Sequence, residues 1–175
     1  MCDGTMTPAG AAALEHLSGT DGFTEGDTAQ GKPNTFSVSL AASRIQSGFE
    51  NRIQCRVYKV KDKSGFPLLD IDFEPRKEKP GSSTNRVVTY PVATYAYTNG
   101  ESGAYIYFAC PTEGDEGKGS FVKASMFINA GQASAGSTGK DRMTVLNDVS
   151  RAVARELGCA AEAKLPTEIP EPLTG

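Results

Sequence analysis

Hydrophobic and polar residues alternate along the middle of the chain in the manner of β-strands. Five segments have β-branched and aromatic character and are bounded by Gly, Pro, Asp or Asn: residues 52–60, 67–73, 87–97, 104–110 and 121–128. Short connections between them, such as residues 62–65 and 98–101, favour hairpins because a crossover would need room for a helix. The pattern predicts an antiparallel sheet of about five strands.

Residues 138–158 have the three- and four-residue spacing of an amphipathic helix. The apolar positions are Met143, Leu146, Val149, Val153 and Leu157. Thr138 and Asp141 are spaced as a capping box, and Gly158 is placed to end the helix. We expect this long C-terminal helix to pack on the sheet.

A second, shorter helix is predicted near the start of the chain. Thr7 can act as N-cap, Pro8 suits the first helical position, and Gly19 lies just past the end. Residues 19–34 have the composition of an exposed loop. Residues 36–46 alternate at first like a strand and then become Ala-rich like a helix, so their structure stays open.

Together these elements indicate an α+β fold. We expect residues 1–163 to form a single extracytoplasmic domain, since this length can bury its own core. Residues 164–175 contain three prolines and few apolar side chains, which predicts a disordered tail.

The net charge of the chain limits the partners that can be expected. The net charge is −3, so the chain lacks the cationic field that collects nucleic acid or anionic lipid, and we expect no nucleic acid partner. No apolar run is long enough to span a bilayer. We therefore expect contact with a membrane only through a missing N-terminal anchor, with Met1 a start codon added after that segment was removed.

The four cysteines, Cys2, Cys55, Cys110 and Cys159, are far apart in the sequence. Structural zinc sites usually draw on closely spaced cysteine pairs, so we expect no metal. An even number at wide spacing favours two disulfides over buried free thiols, although four cysteines allow three pairings. Two disulfides would indicate an oxidising compartment, outside the cytoplasmic membrane.

Alternation suggests which cysteines pair. Cys55 shares a strand face with Ile53 and Val57, and Cys110 shares one with Ile106 and Phe108, so both thiols should point into the core. Cys2 and Cys159 each lie just outside a predicted helix. We therefore favour Cys55–Cys110 and Cys2–Cys159.

Three short stretches carry a resemblance to known proteins. Residues 146–159 close the last helix, residues 105–111 end a strand on Cys110-Pro111, and the chain opens with Cys2-Asp3-Gly4. These stretches resemble secreted or membrane-anchored actinobacterial proteins of unknown function, similar to those of Streptomyces. The resemblance implies an extracytoplasmic α+β domain behind an anchor, with no catalytic residues to transfer.

Groups suited to catalysis are scarce. His16 is the one histidine, no nucleophile motif accompanies it, and a surface or packing role is the simpler interpretation. Asp70, Asp72 and Glu74 project from one face of a strand and could serve a carboxylate-dependent hydrolase or hold calcium. The simpler interpretation is that they form the wet face of a half-buried strand. We expect no catalytic residue and no cofactor.

Tyrosines are the feature that suits recognition. Tyr105 and Tyr107 alternate with Ile106 and Phe108, so they should lie on the sheet face away from the core, where exposed aromatic rings bind partners. A helix or loop over that face would instead make them core residues. A two-residue turn at Asn99-Gly100 would place Tyr95 and Tyr97 on the opposite face.

These observations predict a non-enzymatic binding or sensor module. We expect it to contact a protein, peptide or glycan at the cell envelope through Tyr105 and Tyr107. The alternatives are a hydrolase using Asp70 and Asp72, or a passive structural subunit of an envelope assembly.

Overall fold

The computed structural model describes residues 1–26, 36–47, 53–78, 87–114 and 117–173. Within these residues, seven antiparallel strands form one sheet in the order β1-β2-β3-β7-β6-β5-β4. The strands are β1 (Phe23–Glu25), β2 (Cys55–Lys59), β3 (Leu69–Arg76), β4 (Val87–Tyr90), β5 (Tyr95–Asn99), β6 (Gly103–Gly114) and β7 (Gly117–Ile128). The α+β class and the antiparallel sheet are confirmed, whereas the strand number is larger than the predicted five.

Two local features account for the extra strands. The predicted strand at 87–97 is two strands, β4 and β5, because Pro91 cannot donate to the ladder and Ala93 has a positive φ of 52°. Strand β1 lies inside the predicted exposed loop. It is three residues long and pairs with β2, and so short a segment carries too little alternation to be recognised.

Four helices are described: α1 (Pro8–Ser18), α2 (Val38–Ser47), α3 (Gly139–Glu156) and α4 (Ala160–Ala163). Thr7 caps α1, and Gly19 follows it with φ of 70°, as predicted. Thr138 and Asp141 form the predicted capping box of α3. The ambiguous segment at 36–46 is helical, and its apolar side chains Ala41, Ala42 and Ile45 are buried on one side of α2.

All four helices contribute to one core on a single face of the sheet. Helix α3 packs on β5, β6 and β7, and α1 packs on α3. Met143, Leu146, Val149 and Val153 are fully buried beneath α3, and Leu157 packs at the edge of the core. The sheet contributes Ile71, Ile106, Phe108, Val122 and Met126 to the same cluster. The sheet therefore has a helix-covered face and an opposite face.

All four cysteines are in disulfides, but the predicted pairing is wrong. The bonds are Cys2–Cys55 and Cys110–Cys159. Cys55 and Cys110 do point into the core, as alternation predicts. However, β3 and β7 lie between β2 and β6, so the two strands are about 14 Å apart at the usual spacing. A disulfide requires Cα atoms within about 7 Å.

The segment from residue 164, for which the sequence predicts a disordered tail, contacts the domain over its described part, which reaches Leu173. Ile169 is buried, Asn147 Nδ2 donates to the Pro166 carbonyl oxygen at 2.9 Å, and Leu173 N donates to Thr89 O on edge strand β4 at 2.8 Å. The prolines suit an extended segment whose hydrogen-bond partners come from α3 and β4.

Candidate functional site

Four tyrosines lie together on the face of the sheet away from the helices. In the register of β5 and β6, Tyr95 is opposite Tyr107 and Tyr97 is opposite Tyr105. The pairing continues to Asn99 opposite Gly103. The loop therefore has three residues, 100–102, and is not a two-residue turn at Asn99-Gly100. A three-residue loop pairs odd positions with odd positions, which brings all four rings to one face. We call these residues the tyrosine cluster.

The rings of the tyrosine cluster pack closely against one another. Tyr97 and Tyr105 stack with ring centroids 4.8 Å apart, and Tyr95 lies 5.2 Å from Tyr97 and 6.3 Å from Tyr107. Gly103 makes room for Tyr105, since a Cβ there would lie 3.0 Å from Tyr105 Cε2. Tyr107 is 9% exposed, and Tyr105 is half-buried. Within the cluster, Tyr105 is therefore more accessible than Tyr107.

The hydroxyl groups of the cluster are also linked. The Tyr97 and Tyr107 hydroxyl groups share a hydrogen bond. Burial, reinforced by the neighbouring tyrosines, raises the pKa of Tyr97 to about 12. Burial likewise raises the pKa of Tyr107, and Arg76 acts in the opposite direction. These phenols stay neutral under physiological conditions and act as hydrogen-bonding groups.

Charged residues border the cluster on β3 and β7. Glu74 is opposite Lys123 in the register, and its carboxylate accepts from Lys123 Nζ at 3.2 Å and from the Arg76 guanidinium. Lys123 Nζ also lies 5.5 Å from the centroid of the Tyr105 ring, a cation–π distance. The ion pairs connect the cluster to the charged side of the same face.

The carboxylates singled out in the sequence lie on this face but have structural partners. Asp70 Oδ1 accepts from Arg56 Nε at 3.1 Å, across the β2–β3 pair. Burial raises the pKa of the Asp70 carboxyl, and Arg56 opposes that shift. Asp72 lies two residues further along β3 and is opposite Ser125. The arrangement favours the interpretation of a charged, partly wet strand face.

Two exposed phenylalanines extend the aromatic surface at the end of the sheet. Phe127 on β7 is 59% exposed and Phe66 in the β2–β3 connection is 64% exposed. They border an open groove of about 410 Å³ to which Asp70, Ser102 and Asn129 add polar groups. Phe127 is opposite both Asp70 and Gly103, which places it on the same face as the tyrosine cluster. We call this feature the phenylalanine groove.

A second cavity lies at the start of α3. It has a volume of about 390 Å³ and is lined by the 100–101 turn, the 130–137 loop and Arg142. Arg142 is 5% exposed, and burial lowers the pKa of its guanidinium. It joins the turn to α3 because its Nη2 donates to Gly100 O at 2.9 Å and its Nη1 donates to Glu101 O.

His16 has a structural partner. Its Nδ1 lies 2.9 Å from Asp141 Oδ2, and that same oxygen accepts from Thr138 N and Thr138 Oγ1. The side chain is 54% exposed. His16 therefore ties α1 to the capping box of α3, in line with the packing interpretation of the lone histidine.

Sequence reasoning located Tyr105 and Tyr107 but missed three residues of interest. Phe127 could have been found, because strict alternation in 121–128 puts it on the Lys123 side and away from Met126. Arg142 precedes Leu146 by one helical turn, which also predicts burial. Phe66 gives no such signal, since it lies in a connection without periodicity.

In the described parts of the chain, no three His, Cys, Asp or Glu side chains gather in a way that could hold a metal ion. None of the described helices combines the length and apolar character needed to cross a membrane. Comparison of the chain with protein-family models, with curated proteins and with solved structures finds no match.

Proposed function

We propose that the protein is a non-enzymatic extracytoplasmic binding domain that contacts a protein or peptide partner through the phenylalanine groove and the adjacent Tyr105. The observation that carries the proposal is the exposure of Phe66 and Phe127 beside a groove. Large apolar side chains exposed together, with polar groups at the rim, are typical of interaction sites.

The chemistry of the groove supports a polypeptide partner. Phe66 and Phe127 have no polar tip, so they suit an apolar side chain inserted between them, and Asp70, Ser102 and Asn129 can bond to its main chain. Among the described residues of β2, β3 and β7, the neighbouring face carries three cations and three anions: Arg56, Arg76, Lys123, Asp70, Asp72 and Glu74. This balance gives no reason to expect a highly charged partner.

The tyrosine cluster has two roles in the proposal. Tyr105 contacts the partner, because it is half-buried and lies next to Gly103 and the groove. Tyr107 is almost covered, so it serves mainly to hold the other rings in place. Stacked, hydrogen-bonded rings lose little conformational entropy on binding.

The compartment belongs to the same proposal. Two disulfides are compatible with an oxidising environment, and we propose a location outside the cytoplasmic membrane. Attachment to the envelope through an N-terminal anchor, and an actinobacterial origin, are the parts of the proposal that rest on sequence resemblance.

Site-specific photo-cross-linking tests the proposal. Phe127 is replaced by the photo-reactive p-benzoylphenylalanine, which preserves an aromatic side chain, and the protein is irradiated on the cells that produce it. Val60 is the control position, since it is 61% exposed and does not line the groove. We expect a cross-linked polypeptide from position 127 and none from position 60.

Each other result has a distinct meaning. Equal products from both positions, or none from position 127, would contradict a binding site at the groove. A cross-linked product that carries carbohydrate would indicate that the partner is a glycan and not a polypeptide. A product of twice the chain's mass would favour the structural-subunit alternative, and turnover of a glycoside abolished by Asp70→Asn would favour the hydrolase.

A further inference from the structure

Arg142 is a buried cation whose bonds leave its charge uncompensated. Its described partners are the carbonyl oxygens of Gly100 and Glu101, which are neutral. No described carboxylate lies within ion-pair distance of it, and its Nε atom has no hydrogen-bond partner. Burying an arginine without a counter-charge is costly, because the guanidinium keeps its proton in proteins.

The nearest acidic residues are engaged elsewhere or lie on the surface. Asp141 Oδ2 accepts from both donors of Thr138 and lies against His16, so this carboxylate oxygen serves the capping box. Glu101 is exposed at the turn, and its electrostatic effect on Arg142 is smaller than the desolvation of the guanidinium. Neither neutralises the buried charge at close range.

The cavity beside Arg142 has the other properties of an anion site. It lies against the loop that leads into the N-cap Thr138 of α3, at the positive end of an 18-residue helix dipole. Ser134 and Ser137 in its wall carry hydroxyl donors. A volume of about 390 Å³ falls within the range of small-ligand sites.

We infer that this cavity binds a compact oxyanion, a carboxylate or a phosphate, with the Arg142 guanidinium as its counter-charge and Ser134 and Ser137 as further donors. The planar guanidinium matches the oxygen spacing of both groups. Glu101 at the rim disfavours an extended polyanion such as nucleic acid. The inference is independent of the proposed function, because the cavity and the phenylalanine groove are lined by different aromatic and charged residues.

The site is tested by nuclear magnetic resonance on the intact protein. Spectra that resolve arginine Nε–Hε groups and main-chain amides are recorded while inorganic phosphate, and separately acetate, replaces chloride at constant ionic strength. We expect saturable shifts at the Arg142 Nε–Hε group and at the amides of Ser134 and Ser137. The absence of shifts at these groups, or shifts spread evenly over all arginines, would overturn the inference.

Variants identify the residue responsible. Arg142→Gln should weaken binding about ten- to hundredfold, as expected when a hydrogen bond to a charged group is lost. Arg155→Gln, on the exposed last turn of the same helix, is the matched control and should leave binding unchanged. Equal losses of phosphate binding in the two variants would show that binding depends only on the net charge of the protein, and this would overturn the inference.

A cavity-filling variant covers the case in which Arg142→Gln does not fold. Ala135 is exposed in the cavity wall, so Ala135→Leu occupies the space while Arg142 keeps its bonds to the turn. We expect Ala135→Leu to lose the saturable phosphate shifts and to melt close to the wild type. Unchanged phosphate binding in this variant would place the anion elsewhere and contradict the inference.

Discussion

The two faces of the sheet differ in the kind of residue they carry and in how it is held. On the helix-covered face, aliphatic side chains such as Ile106 and Val122 are completely buried. Both disulfides lie in this buried layer. On the other face, Tyr95, Tyr97 and Tyr105 are half-buried and connected through stacked rings and hydroxyl groups. The comparison indicates that the buried apolar side chains are concentrated on one face, whereas the other face carries partly exposed aromatic rings.

The largest expected effect is on the helix-covered face. Loops of 53 and 49 residues are closed by Cys2–Cys55 and Cys110–Cys159, so the chain-entropy model gives about 4 kcal/mol for each bridge. Replacing either pair by alanine should lower the free energy of unfolding by up to that amount in denaturant titrations. Proteolysis without reduction should release a Cys110–Cys159 peptide. A Cys55–Cys110 peptide would refute the strand order.

Leu146 is a direct measure of the packing beneath α3. It is fully buried, so Leu146→Ala should lower the free energy of unfolding by about 2 to 5 kcal/mol. Leu40→Ala is the control, because Leu40 is on the exposed side of α2 at 37% exposure. We expect a change of less than about 0.5 kcal/mol there. Similar losses in both variants would contradict a core concentrated under α3.

The hydrogen bond between the Tyr97 and Tyr107 hydroxyl groups should contribute less to the free energy of unfolding than a buried leucine side chain does. Tyr107→Phe keeps the ring and removes the hydrogen-bond partner of the Tyr97 hydroxyl, so we expect the free energy of unfolding to fall by about 0.5 to 1.5 kcal/mol in chemical denaturation. Tyr95→Phe serves as the control for removing a hydroxyl from the same cluster. A loss as large as that of Leu146→Ala would mean that this face is as important for stability as the core.

The tyrosine cluster also predicts a pH dependence. The pKa of Tyr97 is raised from 10.0 to about 12 in the folded state, so the neutral phenol favours folding. Its contribution should be complete below pH 10 and should be lost as the pH rises toward 12. Absorbance of tyrosinate should show this delayed titration, and Tyr97→Phe should reduce its amplitude, with the remainder coming from Tyr107, whose pKa is also raised. Titration of every tyrosine near pH 10 would contradict the burial of Tyr97.

The smallest effect on stability is expected at the phenylalanine groove. Phe127 is 59% exposed, so Phe127→Ala should change the thermal midpoint very little. In the proposed function the same variant loses most of its partner binding, because exposed aromatic anchors dominate interfaces. Differential scanning calorimetry and the cross-linking yield at a neighbouring position measure the two quantities. A large fall in the midpoint would show that Phe127 is a stability residue.

The sequence by itself determined the features that depend on local pattern. Period-two alternation placed Ile106 and Phe108 in the core and Tyr105 and Tyr107 on the opposite face. Helical spacing and the Thr138–Asp141 capping box located α3, since caps act within one turn. The cysteine count predicted two disulfides, because thiols at wide spacing in such a chain have few other uses.

Only the tertiary structure decided the features that depend on which distant segments become neighbours. Strand order separated Cys55 from Cys110, and a three-residue loop brought Tyr95 and Tyr97 beside Tyr107. Hydrogen bonds with β4 and α3 likewise place a proline-rich segment that has no periodicity of its own. Alternation assigns each residue to a face of its strand but says nothing about the neighbouring strand, because pairing energy comes from residues far apart in the chain.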